Sequence, residues 1–380
     1  MIHKLKSAIS RNLINIPGFR TNRKIVVIES DDWGMIRMSS LKNIEKFKNK
    51  GYKISQCPYN SNDCIESDED INALAETLLS VKDSKGKPPK FTINNVVANP
   101  DFNKIKEDNF INYHYQNFTE TFKNNKDSQN VMSLYKEGIK NNIFQPQLHA
   151  REHINLRLWL NRLRESDSKT LEAFDNNMYT IHESGPISGR KSNLDAFGNS
   201  TIKGDNFNYN KIIKDAQQIF RETWGFNSKS FIAPCYVWHP SLEKVLKNEG
   251  IEYLQGAHVQ LIPTDNTTFK IKKKYHYTGQ KNKHNQCYLI RNCSFEPTET
   301  GRNNAVENTL KEIKLSFLFN KPAIISSHRM NYIGSINPNN RKENLKLLDQ
   351  LLKKVIMLWP NVEFMSSDQL GNLITNKCAE

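Results

Sequence analysis

No stretch of the 380 residues approaches the roughly 20 consecutive apolar residues that a membrane-crossing helix needs. The opening segment, MIHKLKSAISRNLINIPGFR, is basic but has neither a continuous apolar core nor a small-residue cleavage site, so no secretory signal is read there. A short amphipathic surface helix is expected instead, with Ile2, Leu5, Ile9 and Leu13 on one face. The cysteines Cys57, Cys64, Cys235, Cys287, Cys293 and Cys378 form no C-x-x-C pair. That argues against a cysteine zinc site and for reduced thiols in a cytoplasmic protein. There is no P-loop, no RNA-binding aromatic signature, no internal repeat and no linker separating independent domains.

The chain is 37% apolar and 25% charged, which suits a globular protein. Its net charge of +14 would attract an anionic surface or polymer. The lysines are spread over 42–54, 84–90, 272–284 and 341–354, the mark of a Lys/Asn-rich composition more than of a nucleic-acid module. No nucleic-acid partner is expected. Peripheral contact with an anionic membrane or a lipid-linked substrate fits the charge.

Short apolar runs recur: IVVIE (25–29), FTINNVV (91–97), IFQPQL (143–148), SFIA (230–233), YLQG (253–256), CYLI (287–290), AIISS (323–327) and VEFMS (362–366). Several are continuous, as in strands buried on both faces. Helical patterns separate most of them, among them NYNKIIKDAQQIFRETWG, which closes on Gly225, and HPSLEKVLKNEG, which closes on Gly250. Alternation of this kind predicts a parallel α/β architecture, a barrel with inserted loops. Two polar stretches, 103–130 and 166–207, interrupt it. The second, rich in Gly, Ser and Asn, is expected to cover the rim of the site.

Two features place chemistry at strand ends. KIVVIESDDWG sets Asp31 and Asp32 side by side after a buried run, where neighbouring like charges need water or a cation. LHAREH sets His149 and His153 four residues apart, on one face of a helical turn, able to share one cation. One of the two aspartates would complete a two-His, one-carboxylate metal site with open positions. The other would remain free to take a proton from the attacking water. Read separately, the aspartates are also a helix cap with a first-turn acid, and the histidines two polar residues opening a surface helix. His328 ends another apolar strand, AIISSH, and should reach the same rim.

In their order along the chain, SDDWG, the H-x-x-x-H pair, the proline- and aromatic-containing turn FIAPCYVWHPSLEKVLKNEG and the final IISSH resemble the polysaccharide deacetylase family, the NodB-homology carbohydrate esterases. The resemblance covers roughly 24–370. It implies a distorted barrel of the (β/α)7 type and a single domain over residues 1–380 carrying both insertions. It implies that Asp31 is the general base, that Asp32, His149 and His153 hold a divalent metal, and that His328 is the general acid. Zn²⁺ is the expected ion, with Co²⁺, Ni²⁺, Mn²⁺ and Fe²⁺ as substitutes. It also implies that the backbone N–H at Cys235 helps hold the oxyanion. The chain departs from the family in two places: Ile232 stands where an arginine usually orients the base, and Cys235 where a tyrosine is usual. Arg151, Arg190 and Arg329 are the candidates to replace that arginine.

The implied reaction is removal of an acyl group from an N- or O-acetylated sugar or polysaccharide precursor. Trp33, Tyr236 and Trp238 would offer flat surface to a sugar ring, or else pack in the core. Two other readings stay open. One is a glycoside hydrolase, which needs two carboxylates across the cleaved bond. The other is a non-catalytic polysaccharide-assembly protein with a degenerate site.

Overall fold

A computed structural model describes residues 15–181, 192–198, 208–264 and 270–377. The helix expected at the N-terminus lies outside them. Each of the apolar runs named above forms a strand. In chain order the strands are β1 (Lys24–Trp33), β2 (Phe91–Val96), a short pair β3 (Ala98–Pro100) and β4 (Tyr115–Asn117), β5 (Phe144–Ala150), β6 (Ser230–Ile232) and β7 (Tyr253–Gly256). A second pair follows, β8 (Val259–Pro263) and β9 (Ile271–Tyr275), then β10 (Cys287–Ile290), β11 (Cys293–Ser294), β12 (Ala323–His328) and β13 (Val362–Met365).

The main sheet runs in the order β10-β7-β6-β5-β2-β1-β12-β11, with β13 laid against the first half of β1. Its pairings are parallel. It curls into a distorted barrel that stays open between β10 and β11. The chain itself crosses this gap: the Arg291 N–H donates to Gly256 O on one side, and the Asn292 N–H to Ile324 O on the other. Strand β11 has only two residues, so no apolar run announces it.

Strand alternation and the pairing register decide what fills the barrel. Ile25, Val27, Tyr253, Cys287, Leu289 and Ile324 form an apolar layer, closed by Leu370 and Ile374 of the helix Ser367–Lys377. Above it the inward residues turn polar. Asn94 Nδ2 donates to Gln255 Oε1 (2.9 Å), Gln255 Nε2 to Ser230 Oγ (2.7 Å), and Ser230 Oγ to Gln147 Oε1 (2.9 Å). Buried polar groups need such partners, so this layer is held by hydrogen bonds where the layer below is held by burial.

Helices cover the outside. Tyr209–Trp224 buries Ile213, Ala216 and Phe220 and ends where Gly225 takes a left-handed φ of 81°. The polar stretch 103–130 contributes to the same core: the helix Phe118–Lys123 buries Phe118 and Phe122, and Ile105 is buried on the helix Phe102–Glu107. Among the described residues no helix is long and apolar enough to cross a membrane.

Candidate metal centre

The centre starts with an irregularity in β1. The register between β1 and β2 shifts between Ser30 and Trp33, and Asp32 takes a φ of 75°. In a regular strand adjacent side chains face opposite ways. The bulge lets both aspartates approach the barrel mouth. Gly34 then turns the chain at φ 83°, where a Cβ would lie 2.6 Å from Val96 O.

Asp32 meets the histidine pair. His149 Nε2 lies 3.4 Å and His153 Nε2 3.6 Å from Asp32 Oδ1, and all three residues are buried. One donor atom from each lies within 4.8 Å of the others. Ligands at about 2.0–2.1 Å around a tetrahedral ion stand about 3.4 Å apart, so the set fits a divalent metal. His149 Nδ1 donates to Ile232 O (2.9 Å), which leaves Nε2 unprotonated toward the cluster. Burial pushes the His153 imidazole down to about 4, with Asp32 pulling the other way, so it is neutral as a ligand must be. Burial disfavours the Asp32 charge, yet the imidazoles hold its carboxyl below the usual carboxylate range.

The histidines do not share a helix. His149 is in β5, and His153 follows in a turn before the helix Leu156–Arg164. Asn155 caps that helix by accepting from the Leu158 N–H, so the helix starts only beyond His153. The turn still brings the rings to 5.1 Å between centroids.

Asp31 is held from the other side. Arg291 Nη1 donates to its Oδ2 (2.8 Å) and Nη2 to its Oδ1 (2.6 Å), and Asn94 Nδ2 also donates to Oδ1 (2.7 Å). Burial works against the charge, but the guanidinium outweighs it and holds the Asp31 carboxyl down to about 2. Arg291 Nε reaches Glu29 Oε2 at 2.7 Å, so one arginine joins two buried acids.

None of the described arginines expected to orient Asp31 does so. Arg151 pairs with Glu152 and Asp215, and Arg329 with Asp63 and Glu66. Arg190 lies outside the described residues. Arg291 takes the position because it spans the open seam of the barrel. The signal was a charged residue directly after the strand CYLI, the same placement that marks Asp31.

His328 stands across β1 from Asp31 in register, its Nε2 3.9 Å from Asp31 Oδ2. Its Nδ1 contacts Glu296 Oε1 at 2.6 Å. Burial disfavours its charge, but Glu296 raises the imidazole well above its ordinary value, so it is protonated at neutral pH. Glu296 is a second residue that sequence reasoning missed; it lies shortly after β11, the strand without an apolar run.

The aromatic residues divide. Trp33 is 0% exposed, stacked on Tyr332 with Nε1 bonded to Ser30 Oγ, and cannot meet a sugar ring. Trp238 is buried too, stacked on His276. Both are core residues because the bulge and the turn point them away from the mouth. Tyr236 is part-exposed, and its hydroxyl accepts from Arg291 Nη1 at 3.1 Å. Cys235 lies beside it in a left-handed turn at φ 55°. Of the 166–207 segment, residues 192–198 are described near the rim: Asn193 O accepts the Asn155 N–H, and Leu194 O lies 3.8 Å from Cys235 Sγ. The stretches 182–191 and 199–207, on which the expected cover also depends, lie outside the described residues.

No family model and no curated protein matches the chain. Among solved structures it is similar to a 4-alpha-glucanotransferase from Thermococcus litoralis, at 11% identity and TM-score 0.42. That match covers 92% of this chain and 40% of the other, so the chain spans less than half the glucanotransferase. It is also similar to a putative polysaccharide deacetylase from Mycobacterium smegmatis, at 8% identity and TM-score 0.42, over 95% of this chain and 93% of that one. A probable polysaccharide deacetylase from Pseudomonas aeruginosa PAO1 gives 8% identity and TM-score 0.43 over 92% and 91%. Likeness at this level carries no functional weight.

Proposed function

We propose that the protein is a metal-dependent hydrolase that removes an acyl group, acetyl in the simplest case, from the nitrogen or oxygen of a sugar or polysaccharide precursor. One observation supports this above the others. Beside the Asp32–His149–His153 cluster stand an acid and a base whose surroundings drive their protonation apart: Asp31 ionised against Arg291, His328 protonated against Glu296. Such a split is how acid and base roles are divided at one pH.

A divalent ion held by Asp32, His149 and His153, Zn²⁺ by the donor set, would supply Lewis acidity to the acyl carbonyl and to the attacking water. Asp31 accepts the water's proton. With its basicity lowered by Arg291, it holds that proton only in transit toward His328 Nε2, 3.9 Å away. His328 gives a proton to the leaving amine or alcohol and is recharged along this path. The backbone N–H of Cys235 is assigned to the developing oxyanion, a role that a change of side chain does not disturb. Tyr236 is assigned to the sugar face.

The test is metal content and product analysis on N-acetylated oligosaccharides. Stoichiometric metal and released acetate without new reducing ends are expected, both lost on chelation. New reducing ends would instead favour a glycoside hydrolase. Absence of both metal and hydrolysis would leave a non-catalytic assembly protein.

A further inference from the structure

Arg37 follows Asp32 in the loop after β1 and is only 5% exposed. The other buried arginines all have acids against them: Arg291 has Glu29 and Asp31, Arg329 has Asp63 and Glu66, Arg151 has Glu152 and Asp215, and Arg341 has Glu69 and Asp70. Among the described residues Arg37 has no ion pair and donates no hydrogen bond, and its Nε is enclosed without a partner. Its close neighbour is the face of Tyr59, with 5.3 Å from guanidinium to ring centroid. A buried charge left unpaired is among the costliest arrangements in a protein unless something binds it.

Its position says what it would bind. Tyr59 stands edge-on to His328, 5.6 Å between ring centroids, so His328, Tyr59 and Arg37 follow one another outward from the proton donor. The first side chain whose charge reaches Arg37 is Tyr179, whose hydroxyl is also buried without a partner. Two donors without acceptors therefore lie on the side where the leaving group departs. We infer that Arg37 and Tyr179 form a subsite for an anionic substituent, a carboxylate or phosphate, carried by the sugar that leaves. The sidedness rests on the deacylase reading. A guanidinium and a phenol together offer the charge-assisted donors that such an anion takes.

The experiment is calorimetric titration of the full chain, metal-free and metal-loaded, with three probes. These are N-acetylglucosamine, its 6-phosphate, and its uronic acid form, each against wild type, Arg37→Met and Arg37→Lys. Wild type should bind one anionic sugar about tenfold or more tighter than the neutral one. Arg37→Met should abolish that preference and Arg37→Lys should keep part of it. Which anion is preferred distinguishes carboxylate from phosphate. Equal affinity for all three sugars, a preference that survives Arg37→Met, or no binding by any of them overturns the inference. Thermal unfolding gives a second readout: without ligand, Arg37→Met should melt no lower than wild type, because an unpaired buried charge is removed. A clear drop in Tm would make Arg37 a packing residue and overturn it too. If the neutral sugar is deacetylated without any anion preference, this inference fails and the deacylase reading stands. If anions bind through Arg37 and no sugar is deacylated, the reverse holds.

Discussion

Arg291 grips both oxygens of Asp31 in a planar fork, and a lysine ammonium cannot reproduce that geometry. Arg291→Lys should therefore keep the metal and lose turnover by about a hundredfold, the usual cost of a misplaced catalytic group. Metal analysis and kcat on the same preparation check this. The two aspartates should separate in the same way. Asp31→Asn should bind metal normally and lose turnover, whereas Asp32→Asn should weaken metal binding, with activity partly restored by excess metal. The opposite titration pattern would exchange their roles. Glu296→Gln addresses the acid. Glu296 raises the His328 pKa in the folded state, so the stability it contributes is full below the unfolded value of about 6.5 and is lost as pH rises through the folded one. Without the Glu296 charge the folded value falls. The alkaline limb of the rate profile should then move to lower pH, and so should the pH above which that stability is lost. An unmoved profile would remove Glu296 from the mechanism.

At the scale of elements, the β1 bulge is what turns adjacent acids into two separate functions. It depends on Gly34, whose positive φ and close approach to Val96 O exclude a side chain. Gly34→Ala should cost roughly 1–3 kcal/mol in urea unfolding and should loosen metal binding, because Asp32 would move with the turn. Unchanged stability and metal affinity would mean that the bulge is held by other contacts. The strands themselves were legible from their apolar runs, and so were the strand-end positions of Asp31, His149 and His328. The bulge was not. A residue in a left-handed conformation leaves no mark in SDDWG except the glycine after it, and the expectation placed the turn at Gly34 alone. The histidine spacing was read as a helical turn, but the cap at Asn155 delays the helix and a loop performs the same juxtaposition.

For the whole molecule, a metal that binds the native barrel and not the unfolded chain must stabilise it. At a hundredfold excess over Kd the gain is about 2.7 kcal/mol. Melting should shift upward with Zn²⁺, return with chelator, and show no shift in His153→Ala. A Zn²⁺ response that persists in that variant would place the metal elsewhere. The closure of the barrel belongs to this scale as well. Its floor is apolar and sealed by Leu370 and Ile374, its middle is a hydrogen-bonded polar layer, and its seam is crossed by covalent chain at Arg291 and Asn292.

The sequence by itself determined the alternation of strand and helix and the set of Asp32, His149 and His153. It also determined the strand-end rule that put Asp31 and His328 near them. All of these are short-range patterns: a run of apolar residues buries, and the polar residue that ends it is delivered to the rim. Tertiary structure alone decided that Arg291 and not Arg151 or Arg329 holds Asp31, that Glu296 charges His328, and that Trp33 and Trp238 are core. The physical reason is distance along the chain. Arg291 meets Asp31 across 260 positions, through a seam whose location depends on where the curled sheet fails to close, and no local periodicity encodes that.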